Sequence, residues 1–263
     1  MAEADPATPL VVERLTVDYG SHRAVDGLSL EVRAQEIYGL LGSNGAGKSS
    51  TIKSVVGLVR PTAGSVHVFG ADAVHDGLRA KERLGYVPET ALLYEALTPR
   101  EFLEFVAGVR RLDRTVASDR LRAYAAAFRL DTELEEPIAT LSNGTRQKVL
   151  VLAALLHGPR LLVLDEPLNS LDPRSVRIVK ELLVRFARSS GRGVLLSTHT
   201  METAEELCDR VGILDQGRLL AEGTLGELRG RAARGDASLE EVFLRLTRQD
   251  EGLAEAVASL DGA

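Results

Sequence analysis

An α/β fold built on a parallel sheet is what this 263-residue sequence predicts. Two observations carry that expectation. Short apolar strands alternate with helix-period segments along most of the chain, and two of the strands, Ile37–Leu41 and Leu161–Leu164, contain no charged residue. Uninterrupted apolar runs of this length mark strands covered on both faces, the condition of a parallel sheet flanked by helices. A third observation qualifies the picture: about Thr98 to Gly158 reads as mainly helical, an insertion into the alternating core.

Taken in order, Leu10–Val32 reads as extended, with apolar residues alternating at Leu15, Val17 and Tyr19 and again at Leu28, Leu30 and Val32 around a Gly20–His22 turn. Ile37–Leu41 runs into a glycine-rich turn, and a helix is predicted over Lys48–Leu58, ended by Gly57, Pro61 and Gly64. Ser65–Phe69 is a further strand. In the helical insertion, Phe102, Phe105 and Val109, and later Leu121, Tyr124 and Phe128, are spaced to share helix faces. Strand Leu161–Leu164, helix Ser175–Ser189, strand Val194–Ser197, helix Glu202–Cys208 and strand Val211–Leu214 follow. Asp215-Gln216-Gly217-Arg218 supplies a hairpin turn. Arg229–Asp236 reads as a linker, and beyond it Leu239, Val242, Phe243 and Leu246 fall on one face of a short helix.

Composition narrows the function classes. Hydrophobic residues make up 44% and charged residues 27%, ordinary for a soluble globular protein. The formal net charge of −6 argues against a surface built to grip nucleic acid. One cysteine, Cys208, permits no intrachain disulfide and fits a reducing compartment. The N-terminus has no signal-peptide pattern, and runs such as Val149–Leu156 fall short of the roughly 20 apolar residues that span a bilayer, so the chain is not expected to cross a membrane by itself.

The motifs sit at strand ends. Gly42-Ser43-Asn44-Gly45-Ala46-Gly47-Lys48-Ser49 has the spacing of a P-loop, between an apolar strand and a helix start. Glycines let the backbone curl until several N–H groups face one anion, and the helix dipole adds to that field. Lys48 is expected on the β- and γ-phosphates and the Ser49 hydroxyl on Mg²⁺, with Ser50 beside it. Strand Leu161–Leu164 ends in Asp165-Glu166: the first is placed to hold Mg²⁺ through water, the second to orient and deprotonate an attacking water. His199 follows strand Val194–Ser197. It is either a structural histidine or a partner of the γ-phosphate.

One further segment brings a family into view. Leu141-Ser142-Asn143-Gly144-Thr145 resembles the signature motif of ABC ATPases, usually Leu-Ser-Gly-Gly-Gln, with Asn143 and Thr145 as departures. Other landmarks resemble that family in order. Tyr19 matches the aromatic that stacks on adenine, Asn169-Ser170-Leu171-Asp172 looks like the D-loop, Ser197-Thr198-His199 looks like the switch histidine, and Glu89 stands where the family carries the Q-loop glutamine that ligates Mg²⁺. The tail Ser238–Phe243 looks like the end of ATPase subunits of ABC-2-type exporters.

The resemblance implies a RecA-like P-loop NTPase core with an antiparallel β subdomain and an inserted α-helical subdomain. Residues 8–230 would form the ATPase domain, with the helical part at about 89–159, and 231–263 a C-terminal tail with a short amphipathic helix. It further implies ATP and Mg²⁺ as cofactors, with a second ATPase subunit, a homodimer being expected, and a separate transmembrane permease as partners. Leu141, Ser142, Gly144 and Asp172 would address nucleotide bound by the opposite copy. No nucleic acid is expected, and membrane contact at the cytoplasmic face would run only through the permease. The rival is an ABC-type ATPase acting on DNA or ribosomes. A P-loop GTPase is disfavoured because no Asn is followed by Lys.

Overall fold

The computed structural model describes residues 7–231 and 238–247. They build two sheets and the helices that cover them. Strands β1 (Leu10–Tyr19), β2 (His22–Val32), β4 (Ala63–Val68) and β5 (Ala71–Asp72) form an antiparallel sheet in the order β2-β1-β4-β5. Strands β3 (Glu36–Leu41), β6 (Leu84–Val87), β7 (Leu161–Asp165), β8 (Gly193–Thr198), β9 (Arg210–Asp215) and β10 (Arg218–Gly223) form the second, in the order β10-β9-β3-β8-β7-β6. Every pairing in the second sheet is parallel except the β9–β10 hairpin. That hairpin turns on Gln216 and Gly217, both at positive φ (45° and 79°), as a tight two-residue turn between right-twisted strands demands.

The fully apolar strands are explained by burial on both faces. Along β3, Ile37 and Leu41 point into one core while Tyr38 and Leu40 point into the other. Leu162 and Leu164 of β7 likewise face away from Leu161 and Val163, the period-2 alternation of a strand with two apolar environments. One core lies against the antiparallel sheet and α1 (Lys48–Val55). The other lies under α3 (Pro99–Val109), α4 (Arg114–Phe128), α5 (Asn143–Leu156) and α6 (Pro173–Arg188). A short α2 (Gly77–Glu82) precedes β6. Like the two-residue β5, it is too brief for periodicity to announce.

Local chemistry sets the helix starts. Thr98 and Glu101 close a reciprocal capping box on α3, Asp113 caps α4, Ser142 caps α5 and Asp172 caps α6. The helical insertion is real, and on α4 the expected Leu121 and Phe128 are buried with Tyr124 packed against the same core, but the face of α3 differs from the expected one. Phe102, Leu103 and Ala107 are the buried side of α3, whereas Phe105 is 50% and Val109 65% exposed. Apolar residues on α3 exceed what one stripe can hide, so spacing alone could not choose among them. The helix expected to reach Leu58 stops at Val55. The expected linker begins inside α8 (Leu225–Arg231), and its remainder at 232–236 lies outside the described residues. The terminal helix is α9 (Leu239–Leu246), which buries Leu239, Val242 and Phe243 against α7 (Met201–Leu207) and α8 but leaves Leu246 exposed.

One half-buried histidine links the helical insertion to the sheet. His157 Nε2 bonds the Leu84 carbonyl, and burial pulls its pKa down from 6.5 to about 4. Below about pH 6.5 the unfolded chain takes up a proton there that the folded chain refuses, so stability falls as pH drops from 6.5 toward 4. The melting temperature is expected to decline over that window, and His157→Gln to flatten the decline. A variant with the wild-type pH profile would remove His157 as the cause.

Register places the strand ends together. Leu41 of β3 pairs Thr198 of β8, Asp165 of β7 pairs Ser197, and Leu164 pairs Val87 of β6. The segments that follow these four strands therefore emerge side by side, where ligands bind in open parallel sheets.

Candidate functional site

The turn after β3 is shaped by its glycines. Gly47 sits at φ 108°, and a Cβ there would come within 2.4 Å of the Ala24 carbonyl, so no side chain fits. The following helix α1 opens on Lys48, which is 6% exposed. Its ammonium donates to the carbonyls of Gly42 (2.7 Å) and Ser43 (3.1 Å) and lies 3.6 Å from Glu166 Oε1. A buried cation is tolerable only with such partners.

Glu166, also 6% exposed, follows the last residue of β7 in a left-handed backbone conformation, φ 48°. That conformation costs a non-glycine residue about 1 kcal/mol or more and persists only where neighbours enforce it. Here the Glu166 N–H donates to Ser197 Oγ (3.0 Å), and Ser197 Oγ in turn donates to Asp165 Oδ1 (2.6 Å). One serine on β8 thus holds both the last residue of β7 and the backbone of the acid that follows it. His199 Nδ1 stands 2.9 Å from Glu166 Oε1. An ionised carboxylate only accepts, so the proton belongs on Nδ1 and the second ring nitrogen faces elsewhere.

A cavity of about 380 Å³ opens beside the loop, lined by Tyr19, His22, Ala24, Ser43, Asn44, Gly45, Gly47, Lys48, Ser49, Ser50, Glu89 and Glu166. Tyr19, the last residue of β1, is 47% exposed, a ring face free at the rim rather than an inward strand residue. Gly42 and Ala46 are buried loop backbone that does not line the cavity. Asp165 joins through Ser197 and His199 through Glu166. Burial pushes the Tyr86 hydroxyl up to about 12, and the negative charges of Asp165 and Glu89 add to that shift, so both carboxylates act on the same ring. Ser49, Glu89 and Asp165 each carry a hard oxygen of the kind Mg²⁺ takes when substrate phosphates supply the remaining ligands. Among the described residues no three His, Cys, Asp or Glu gather into a metal site without such help.

Four expected residues lie apart from this cavity. Leu141, Ser142, Gly144 and Asp172 do not line it. Two contacts join the start of α5 to the turn ahead of α6. A Cβ on Gly144 would come within 2.6 Å of the Ser170 carbonyl, and Lys148 pairs with Asp172 at 3.0 Å. Ser142 is exposed at the start of α5, its hydroxyl accepting from Thr145 N (3.2 Å) and sharing a hydrogen bond with Thr145 Oγ1 (3.0 Å). Asp172 accepts from the Ser175 amide and hydroxyl, which with Lys148 hold its carboxyl well below the usual range. Sequence reasoning missed His22 and Ala24 as lining residues and Ser197 as the orienting serine. The signal for Ser197 was its place opposite the acidic strand end, which only the sheet order reveals.

Comparison with known proteins adds identity to geometry. The family described as ABC transporter matches residues 25–169. The ABC-type transporter ATP-binding protein EcsA of Bacillus subtilis (strain 168) is 37% identical over 243 residues, 92% of this chain and 98% of that protein. The Nod factor export ATP-binding protein I of Ralstonia nicotianae is 37% identical over 223 residues, covering 84% of this chain and 69% of that protein. A solved structure of an ATP binding subunit of an ABC transporter superposes with a TM-score of 0.87 at 35% identity, over 91% of this chain and all (100%) of that one.

Proposed function

We propose that this chain, which belongs to the ABC transporter family as an ATP-binding, ATP-hydrolysing subunit coupled to transport, holds ATP at the seam between two copies of itself. The phosphates lie in the Gly42–Ser49 loop with Lys48 on the β- and γ-groups, and adenine stacks on Tyr19. Ser49, Asp165 and Glu89 would hold Mg²⁺, which when bound would neutralise negative charge on the phosphates. Glu166 takes the proton of the attacking water, and His199 keeps that carboxylate and the water aligned. The observation that carries this reading is the cluster in which one oxygen, Glu166 Oε1, meets both His199 (2.9 Å) and Lys48 (3.6 Å) at the mouth of the phosphate loop.

The signature residues Leu141, Ser142 and Gly144, with Asp172 in the D-loop, serve the ATP of the opposite copy in a head-to-tail homodimer. Their separation from the cavity of their own chain supports this. A serine hydroxyl and free amides at a helix start are a suitable cradle for a phosphate delivered by a partner. ATP then joins the halves, and loss of the terminal phosphate lets them part.

Subunits of this family work with transmembrane permeases. Among the described residues no helix is long and apolar enough to cross a membrane, and we assign the permease to a separate chain that holds this subunit at the cytoplasmic face. The helical part, about 89–159, is the element that meets it. Leu92, Tyr94, Phe105 and Val109 are exposed there, and the Tyr94 ring meets Phe105 edge-on at 5.8 Å. Export is the assigned direction, in keeping with the Nod factor export relative. Light scattering tests the seam: a slowly hydrolysed ATP analogue is expected to double the mass of the wild-type chain, whereas Ser142→Arg binds the analogue and stays monomeric. A Ser142→Arg protein that dimerises normally would refute the assignment.

A further inference from the structure

We propose that Glu205 is a positioning residue for His199: by tying the tail helix α9 to α7, it sets where the imidazole meets Glu166. The proposal rests on the reading of the Glu166–His199 pair as the hydrolytic centre.

His199 is tethered lightly. Its ring is half exposed, and its hydrogen bond to Glu166 is 2.9 Å long, so a retreat of about 0.7 Å would end the bond. What places the ring is therefore its backbone, which leads within two residues into α7. That helix has seven residues and no side-chain N-cap, far below the roughly 12–15 at which an isolated helix holds its own shape. It must be held from outside.

Both anchors are visible. Ala204 and Leu207 of α7 are buried in the same core as Leu228 of α8 and Leu239, Val242 and Phe243 of α9. Above that apolar contact, Glu205 Oε1 accepts from Arg229 Nη2 of α8 (2.8 Å) and from the backbone N–H of Leu239 (3.2 Å). Leu239 is the first residue of α9, whose first-turn N–H groups have no partner within the helix and attract an anion. One carboxylate thus bridges three helices. The Arg229 hydrogen bond holds it below the ordinary carboxylate range, keeping it ionised at neutral pH. On the neighbouring residue, Glu206 pairs with Lys180 of α6. The tail is thereby a brace on the arm that carries the switch histidine, and loosening it should loosen that ring before the residues that line the nucleotide cavity.

The test uses the full-length chain and four variants: Glu205→Ala, Glu205→Gln, His199→Ala and the double variant. Glu205→Ala is expected to lower kcat about tenfold to a hundredfold, as a misplaced catalytic group does, with KM for ATP changed less than about twofold. Glu205→Gln retains an acceptor oxygen and should recover most of the rate. In the His199→Ala background, Glu205→Ala should cost less than about twofold, because a residue that acts through another is silent without it. The ring resonances of His199, one of five histidines in the chain, should move in Glu205→Ala and return in Glu205→Gln. Should Glu205→Ala not fold, Arg229→Gln removes one donor and should move the same resonances less. Unmoved resonances, or an equal loss of rate with and without His199, would overturn the brace. Wild-type turnover in His199→Ala with moved resonances would instead overturn the hydrolytic role of His199 and leave the brace standing.

Discussion

Replacing Glu166 by Gln should lower kcat for ATP hydrolysis by about a hundredfold or more while ATP still binds. The amide keeps an oxygen that can accept from His199 Nδ1, and it has nearly the shape of the acid, so the 2.9 Å contact and the left-handed turn at φ 48° can both survive. What disappears is the capacity to take a proton. The Lys48 ammonium, 3.6 Å away, also loses a counter-charge, which leaves it more positive toward the phosphates and should hold the nucleotide at least as tightly. The measurable pattern is a nucleotide-bound dimer that accumulates without turnover. Hydrolysis at the wild-type rate would remove Glu166 from its role as the base.

Lys48→Ala should act on binding instead. A charged hydrogen bond to phosphate is worth about 1.5–3 kcal/mol, and its loss should raise the Kd for ATP about tenfold to a hundredfold or more. The variant should also melt earlier. Glu166 is 6% exposed and would lose its nearest full positive charge, and removing one member of a buried ion pair is costlier than never having built the pair. Arginine is no safe substitute, since its planar guanidinium cannot occupy the space in which an ammonium reaches both the Gly42 and Ser43 carbonyls. ATP affinity unchanged in Lys48→Ala, measured by fluorescent-nucleotide titration, would contradict the phosphate assignment.

The parallel sheet was legible in the sequence because its strands are apolar throughout, and the loop after β3 because glycine spacing has few other uses. The acids of β7 were legible from their place after an apolar strand. Residues such as Ser197 were not, because their partners lie 31 and 32 positions away in the chain and only the β7–β8 register joins them. The exposed side of α3 was misjudged for a related reason. Phe105 and Val109 have the spacing of a core face, but the face that the fold buries is the one carrying Leu103 and Ala107. Periodicity reports that a helix has an apolar side, not which of two sides a neighbour will cover. The assignment of Leu141, Ser142 and Gly144 to a seam rests on family resemblance alone, since a serine that caps a helix looks the same whether or not a phosphate ever arrives.

The close fit of Gly144 against the Ser170 carbonyl, with Lys148 reaching Asp172 beside it, has a mechanical corollary. The start of α5 and the turn ahead of α6 cannot slide past one another without losing an ion pair and opening a void where no side chain stands. If a permease pulls on the helical insertion as proposed, that pull would be passed to the stretch of chain that leaves Glu166. Cargo and cleavage would then be geared together inside one protomer, before any second copy takes part.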